Sequence, residues 1–317
     1  MKFMTIAQGL LIASLATAAT AGEMIITSEN PQNHWKSGEI DKLAKAIEEK
    51  SGGNISTTTY HANLYKGDRE AVEAIGTGSV HMVWPACPRM EALVPELGIL
   101  SLPFTLSAEE MATPEFQAKV VAAFAPALAE KGFALLGVAR ATEVMFVGSS
   151  PLSSFSDLEG KKIRVPGSPL FKALMGAFGA SSISLPASEL ATALSQGAID
   201  AAFTSPSSWR NIGVRGAKYG LVPSNLLVGT YCIVADKAWL DGLDTSDKAA
   251  VEDATAELMR TQWTVAYEND LKSLDAMVEA GAELVVLKDT SEFRAATEEL
   301  RKEYMLKYES IAKALAD

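Results

Sequence analysis

Short β-prone segments and amphipathic helical segments alternate along most of this chain, and that alternation restricts the fold more than any other property of the sequence. Met24 to Thr27 reads as a strand, and Ser37 to Ser51 as a helix with Ile40, Leu43, Ala44 and Ile47 on one face. Gly52-Gly53 stops that helix, and the Thr-rich run Ile55 to Tyr60 reads as the next strand. Arg69 to Ile75 is a helix, and Val80 to Trp84 a strand closed by Pro85 and Pro88. The order recurs further on. Lys162 to Val165, Ile183 to Leu185 and Ile199 to Phe203 are strands, with helices at Leu170 to Phe178 and Glu189 to Ser195 between them. Repeated βα units predict mainly parallel sheets covered by helices.

Between and after these two blocks the pattern changes. Pro114 to Glu130 is helix-rich, Phe133 to Val138 and Val144 to Val147 read as strands, and Leu226 to Val234 reads as a long strand returning toward the first block. Ser246 to about Ala280 is helical without a proline. At about 1.5 Å per residue such a helix is long enough to brace both blocks. Leu284 to Leu287 is a last strand, and the chain ends in an amphipathic helix. The expected fold class is therefore α/β, with two lobes, a cleft between them and a long bracing helix. The expected division is residues 22–141 with 230–270 in lobe I, and residues 142–229 with 271–317 in lobe II. Clefts between lobes are favoured ligand sites.

Ahead of the first strand, Lys2 is followed by the apolar run 10–16 and by the small-residue triplet Ala19-Thr20-Ala21. That is the arrangement of a cleaved signal peptide over residues 1–21. The expectation is a mature chain starting near Gly22 or Glu23, delivered to the periplasm. The net charge of −11 excludes a basic nucleic-acid footprint. Cys87 and Cys232 are the two cysteines, and their spacing leaves a bridge and two buried thiols equally open. His34, His61 and His81 pair with no Cys, Asp or Glu at metal-ligand spacing, so neither a metal nor a cofactor is expected. No nucleophile elbow, zinc-protease helix, phosphate loop or dinucleotide fingerprint occurs, which argues against an enzyme.

The stretch Pro151 to Pro166, PLSSFSDLEGKKIRVP, resembles the hallmark segment of the extracytoplasmic solute receptors of TRAP (tripartite ATP-independent periplasmic) transporters. Phe178-Gly179-Ala180, the block Ala193 to Asp200, Leu64 to Gly78 and Leu102-Pro103-Phe104 are similar to further blocks of that family, in the same order. The resemblance implies a two-lobed periplasmic binding protein that closes around its ligand. It implies a monomer that hands a small organic acid to ion-driven membrane permease subunits, without catalysis.

The resemblance also nominates site residues. Arg164 is similar to the family's carboxylate-binding arginine, and a planar guanidinium suits a carboxylate because two parallel hydrogen bonds fit it. Where many sugar-acid receptors carry a second arginine, twenty positions earlier, this chain has Val144. Glu29 and Glu143 are candidate acids at the cleft; each is otherwise a solvated or helix-entry residue. Trp84, Trp209 and Tyr231 follow family-like strands and could stack on a ligand, or belong to the core. Thr204 and Ser205 stand where the family places a polar contact. One arginine with inward acids predicts a monocarboxylate with a neutral, aromatic or cationic far end. The alternatives are a receptor for a zwitterion, such as an amino acid or an ectoine-like solute, and a receptor that feeds a sensor kinase.

Overall fold

The computed structural model describes residues 22–65 and 68–316; the expected signal peptide, residues 1–21, lies outside them. The chain opens with β1 (Gly22–Thr27), α1 (Trp35–Lys50), β2 (Ile55–Tyr60), α2 (Asp68–Ala74) and β3 (Met82–Val83). Two 3₁₀ segments follow, Cys87–Ala92 and Pro95–Ser101, each started by a proline in its first turn. Then come α3 (Ala108–Met111), α4 (Pro114–Ala129), β4 (Phe133–Glu143), β5 (Met145–Gly148), β6 (Lys162–Val165), α5 (Pro169–Ala177) and β7 (Ser181–Ser184). After these lie α6 (Leu190–Ser195), β8 (Ala201–Thr204), α7 (Pro206–Ile212), β9 (Tyr219–Pro223) and β10 (Val228–Asp236). The chain finishes with α8 (Lys237–Gly242), α9 (Thr245–Glu279), β11 (Glu283–Leu287), α10 (Ser291–Ala296), α11 (Glu298–Lys307) and α12 (Glu309–Ala316).

The strands form two sheets, in the orders β2-β1-β3-β10-β4 and β11-β9-β5-β8-β6-β7. The two βα blocks do make the parallel part of each: β1 pairs in parallel with β2 and β3, and β6 with β7 and β8. Both sheets are nevertheless mixed. β10 runs antiparallel to β3 and β4, and β5 antiparallel to β8 and β9. The cause is the crossovers: β4 continues past Val144 into β5 of the other sheet, and β9 passes through 224–227 into β10 of the first. A strand that enters a sheet from its neighbour's end must run against the strands already there.

Each sheet carries its own core. Ile40, Leu43, Ile47, Val120, Phe124 and Leu128 cover the first, and Phe146, Phe171, Phe178, Phe203 and Phe293 cluster beneath the second. The helix α9 is capped by Asp244, whose carboxylate accepts from the Asp247 backbone N–H, and it runs for 35 residues. It packs on α1 and β4 from the first lobe and on α7 from the second, the brace expected from its length. The end of the chain does not stay with the second sheet. Ile311, Ala312 and Leu315 of α12 join the core formed with Phe116, Val120 and Phe124 of α4, where residues 271–317 are assigned to lobe II by sequence. The apolar face of an amphipathic helix follows whatever apolar surface lies within reach.

Among the described residues no helix is long and apolar enough to cross a membrane. Cys87 and Cys232 are bridged, with their Cα atoms 5.0 Å apart, and both are buried in the first lobe. The bridge ties the start of the first 3₁₀ segment to the crossover strand β10.

Candidate functional site

A cavity of about 1110 Å³ lies between the two lobes. The first lobe contributes Val72, Pro85, Arg89 and Leu93 to its wall, and the second contributes Val165, Ser168, Ile183 and Leu185. This is close to the upper end of small-molecule sites. Arg69, paired with Glu73 at 3.0 Å, and Lys172 lie at its rim and are exposed.

Arg164 is on β6, buried to 2% of its surface. Its Nε donates to the Leu185 carbonyl at 2.8 Å and one terminal nitrogen reaches the Phe203 carbonyl at 3.4 Å. These bonds fix the plane of the guanidinium. Burial pulls its pKa down to about 10, helped by the like charge of Arg89 and opposed by Glu29. Arg164 thus stays cationic at neutral pH but is short of solvation, the condition in which an incoming anion gains most.

Glu29 leaves the end of β1 and faces the same region, where its Oε2 lies 3.1 Å from a terminal nitrogen of Arg89. Trp84 follows β3 directly and is fully buried in the core with Met24, Ile26 and Ile40. Its indole N–H has no hydrogen-bond partner among the described residues. Its carbonyl accepts from Lys36 Nζ at 2.9 Å, and that ammonium lies 4.0 Å from the centre of the Tyr231 ring. A fully buried lysine is expensive unless its charge is met; here a carbonyl and an aromatic face meet it. Tyr231 therefore presents its face to Lys36.

Thr204 ends β8 and is nearly buried, and Ser205 caps α7, with its hydroxyl accepting from the Ser208 N–H at 3.1 Å. Two residues after Ser205, Ser207 Oγ lies 3.4 Å from His34 Nε2, across from α1 of the other lobe. Burial, with Lys36 and Arg210 nearby, pulls the His34 pKa down to about 3, so this imidazole is neutral.

None of the eight nominated residues is among those that line the cavity, and two are taken up elsewhere in the fold. Trp209 is wholly buried within the second lobe, where its indole N–H donates to the Ala217 carbonyl at 2.7 Å and its ring packs over Gly220. As the fourth residue of a helix that lies against its sheet, it turns inward. Glu143 sits at the β4–β5 crossover. Its backbone N–H donates to Asp270 at 2.7 Å and its carboxylate lies 3.6 Å from Arg140. Arg140 in turn pairs with Asp270 at 3.2 Å, and Gln262 of α9 exchanges two hydrogen bonds with the Arg140 backbone. Glu143 thus belongs to the junction that fastens the crossover to the brace.

Arg89, Lys36 and His34 were not nominated by sequence. A signal for Arg89 exists: between His81 and Glu96 it and Glu91 are the only charges in an apolar stretch. Lys36 sits in an ordinary helical pattern and gave none. Glu91 of the same 3₁₀ segment is 3% exposed. It reaches the other lobe, accepting from Ser168 Oγ at 2.8 Å and from the Leu170 N–H at 3.1 Å at the start of α5. Burial pushes its pKa up to about 7 against these two bonds.

Residues 26–308 match the family described as bacterial extracellular solute-binding protein, family 7. The chain is 28% identical to the C4-dicarboxylate-binding periplasmic protein DctP of Rhodobacter capsulatus over 262 residues, 82% of this chain and 78% of that one. Its fold matches that of DctP7, an extracytoplasmic solute receptor of Bordetella pertussis crystallised with pyroglutamic acid. The TM-score is 0.85 at 19% identity, over 94% of this chain and 99% of that one. A TRAP periplasmic solute-binding protein from Chromohalobacter salexigens with bound D-glucuronate matches with a TM-score of 0.83 at 23% identity, over 93% and 98% of the two chains.

Proposed function

The chain belongs to the bacterial extracellular solute-binding proteins of family 7, the solute receptors of TRAP transporters, and from that premise we propose that it is a periplasmic receptor for a small organic monocarboxylate. The observation that carries the ligand class is Arg164: a buried guanidinium, fixed by two backbone carbonyls, beside a cavity between two lobes. A carboxylate placed there restores the solvation that burial has removed.

The first lobe brings charged groups of its own to the cleft. With Glu143 at the crossover, Glu29 is the one nominated acid left at the cleft, and Arg89 pairs with it. The pair is neutral in sum and offers both a donor and an acceptor. This favours a far end that is uncharged and polar, such as a hydroxylated or lactam ring. Pyroglutamic acid and D-glucuronate, bound by the two structural relatives, are of that kind.

In this reading the lobes close by bending at the β4–β5 and β9–β10 crossovers, and α12 travels with the first lobe. The closed, loaded form is what a permease would recognise. Calorimetry of the secreted chain against pyroglutamate, D-glucuronate and succinate tests the ligand class. The expectation is a clear preference for one of the two monocarboxylates. Succinate binding tightest would replace the monocarboxylate by a dicarboxylate.

A further inference from the structure

Arg164 already spends donors on two backbone carbonyls, and the position where a second arginine could stand in its own lobe is Val144, buried in the second-lobe core. A guanidinium does approach from the opposite wall. Arg89 lines the cavity together with Val165, the chain neighbour of Arg164, and Leu185, its hydrogen-bond acceptor. We infer that Arg89 is the second arm of a clamp shared between the lobes, closing from the first lobe onto the carboxylate that Arg164 holds from the second. This rests on the carboxylate reading of the cleft.

Three features support it. First, the segment that carries Arg89 is anchored on both sides: Cys87 is bridged to Cys232, and Glu91 is bonded to Ser168 and Leu170. Glu29 steadies the guanidinium itself at 3.1 Å. A pre-positioned arginine loses little freedom when an anion arrives. Second, the charges of Arg89 and Glu29 both act on Arg164, so the three share one locality. Their charges, +1, +1 and −1, sum to +1. One carboxylate neutralises that sum, whereas a dicarboxylate leaves a buried excess of negative charge. The rim charges on Arg69, Glu73 and Lys172 are exposed and screened by water. Third, a carboxylate gripped from both walls is fully held only when the lobes are together. Binding then favours the closed state through the ligand's own charge.

The test compares acids with their amides. Pyroglutamate and pyroglutamide, and D-glucuronate and D-glucuronamide, are titrated calorimetrically into wild type, Arg89→Gln and Glu29→Gln, with folding checked by circular dichroism. Wild type should prefer the acid of at least one pair. Arg89→Gln should shrink that preference by about ten- to a hundredfold while amide affinity changes little. Glu29→Gln, which removes the opposing charge, should widen it. If Arg89→Gln weakens acid and amide by the same factor, Arg89 is only the structural partner of Glu29 and the clamp is overturned. A wild type indifferent between acid and amide, or bound by neither, overturns the carboxylate reading and the clamp falls with it.

Discussion

At the scale of single residues, the proposed function turns on Arg164. Its charge is buried, its plane is set by the Leu185 and Phe203 carbonyls, and its pKa remains far above neutrality. Arg164→Ala should therefore cost the bound acid about 2–5 kcal/mol, the usual loss when one partner of a buried charge pair is truncated, or roughly thirtyfold to several thousandfold in affinity. Arg164→Lys should also bind more weakly, because an ammonium cannot keep both carbonyls and grip a carboxylate in plane. Calorimetry with pyroglutamate or D-glucuronate reads both, and an unchanged affinity in Arg164→Ala would remove this residue from the site. Arg164 stood out in the sequence because it sits in a motif. Arg89 and Lys36 were not, because a charged residue in a loop or a helix is ordinarily solvated and only the packing of β3, α1 and β10 encloses these two. Trp84, Trp209 and Tyr231 illustrate the same limit. Trp84 lies in the core of its lobe, Trp209 inside the other lobe and Tyr231, within β10, against an ammonium, since position along a strand or after it does not set the direction of a ring.

Among elements, the 3₁₀ segment Cys87–Ala92 joins the crossover strand, the cleft and the other lobe. Its Glu91 gives a pH dependence whose sign follows from burial. The folded-state pKa of about 7 lies above the ordinary 4.5, so between those values the folded protein holds a proton that the unfolded chain has released. The contribution is fully present below about pH 4.5 and is lost as pH rises through 7. A shift of that size corresponds to at most about 3 kcal/mol. Asp270, pushed up to about 6 by burial against the pull of Arg140, adds a term of the same sign at lower pH. Glu91→Gln should flatten the decline in stability between pH 5 and pH 8, measured by urea unfolding at each pH. Parallel profiles for variant and wild type would exclude Glu91 as a source. The disulfide belongs to this scale too. It closes a loop across a sequence separation of 145, for which chain entropy alone predicts about 5 kcal/mol, with measured values commonly nearer 2–4. The double replacement of Cys87 and Cys232 by Ser should lower the melting temperature accordingly, and an unaltered melting curve would contradict the bridge. Helix and strand order was legible because the 3.6- and 2-residue periods are local. The sheets' mixed direction was not, since the crossovers at Val144 and 224–227 decide which end of a strand enters first.

For the molecule as a whole, two lobes joined at a crossover and braced by α9 imply a hinge. A saturating concentration of the acid that binds should reduce the radius of gyration in solution scattering and raise the melting temperature by mass action. Stabilisation without compaction would argue against closure. The two βα blocks were legible in the sequence, whereas the return of α12 to α4 was not, because an amphipathic face names no partner. N-terminal sequencing of the periplasmic fraction should find a chain beginning at Gly22 or within two residues of it, and retention of Met1 there would overturn the processing expectation.

The strand order β2-β1-β3-β10-β4 has a consequence for how the molecule comes into being. β4 touches its sheet only through β10, and about ninety residues separate the two in the chain. A polypeptide made from its N-terminus has the whole of the second βα block before it has the strand that completes the first sheet. The first sheet, begun first, is therefore completed only after most of the second sheet has been made. A chain arrested just before β10 should leave β4 with no strand to pair with and Cys87 as a free thiol, which alkylation of arrested chains would register as a label that full-length chains refuse.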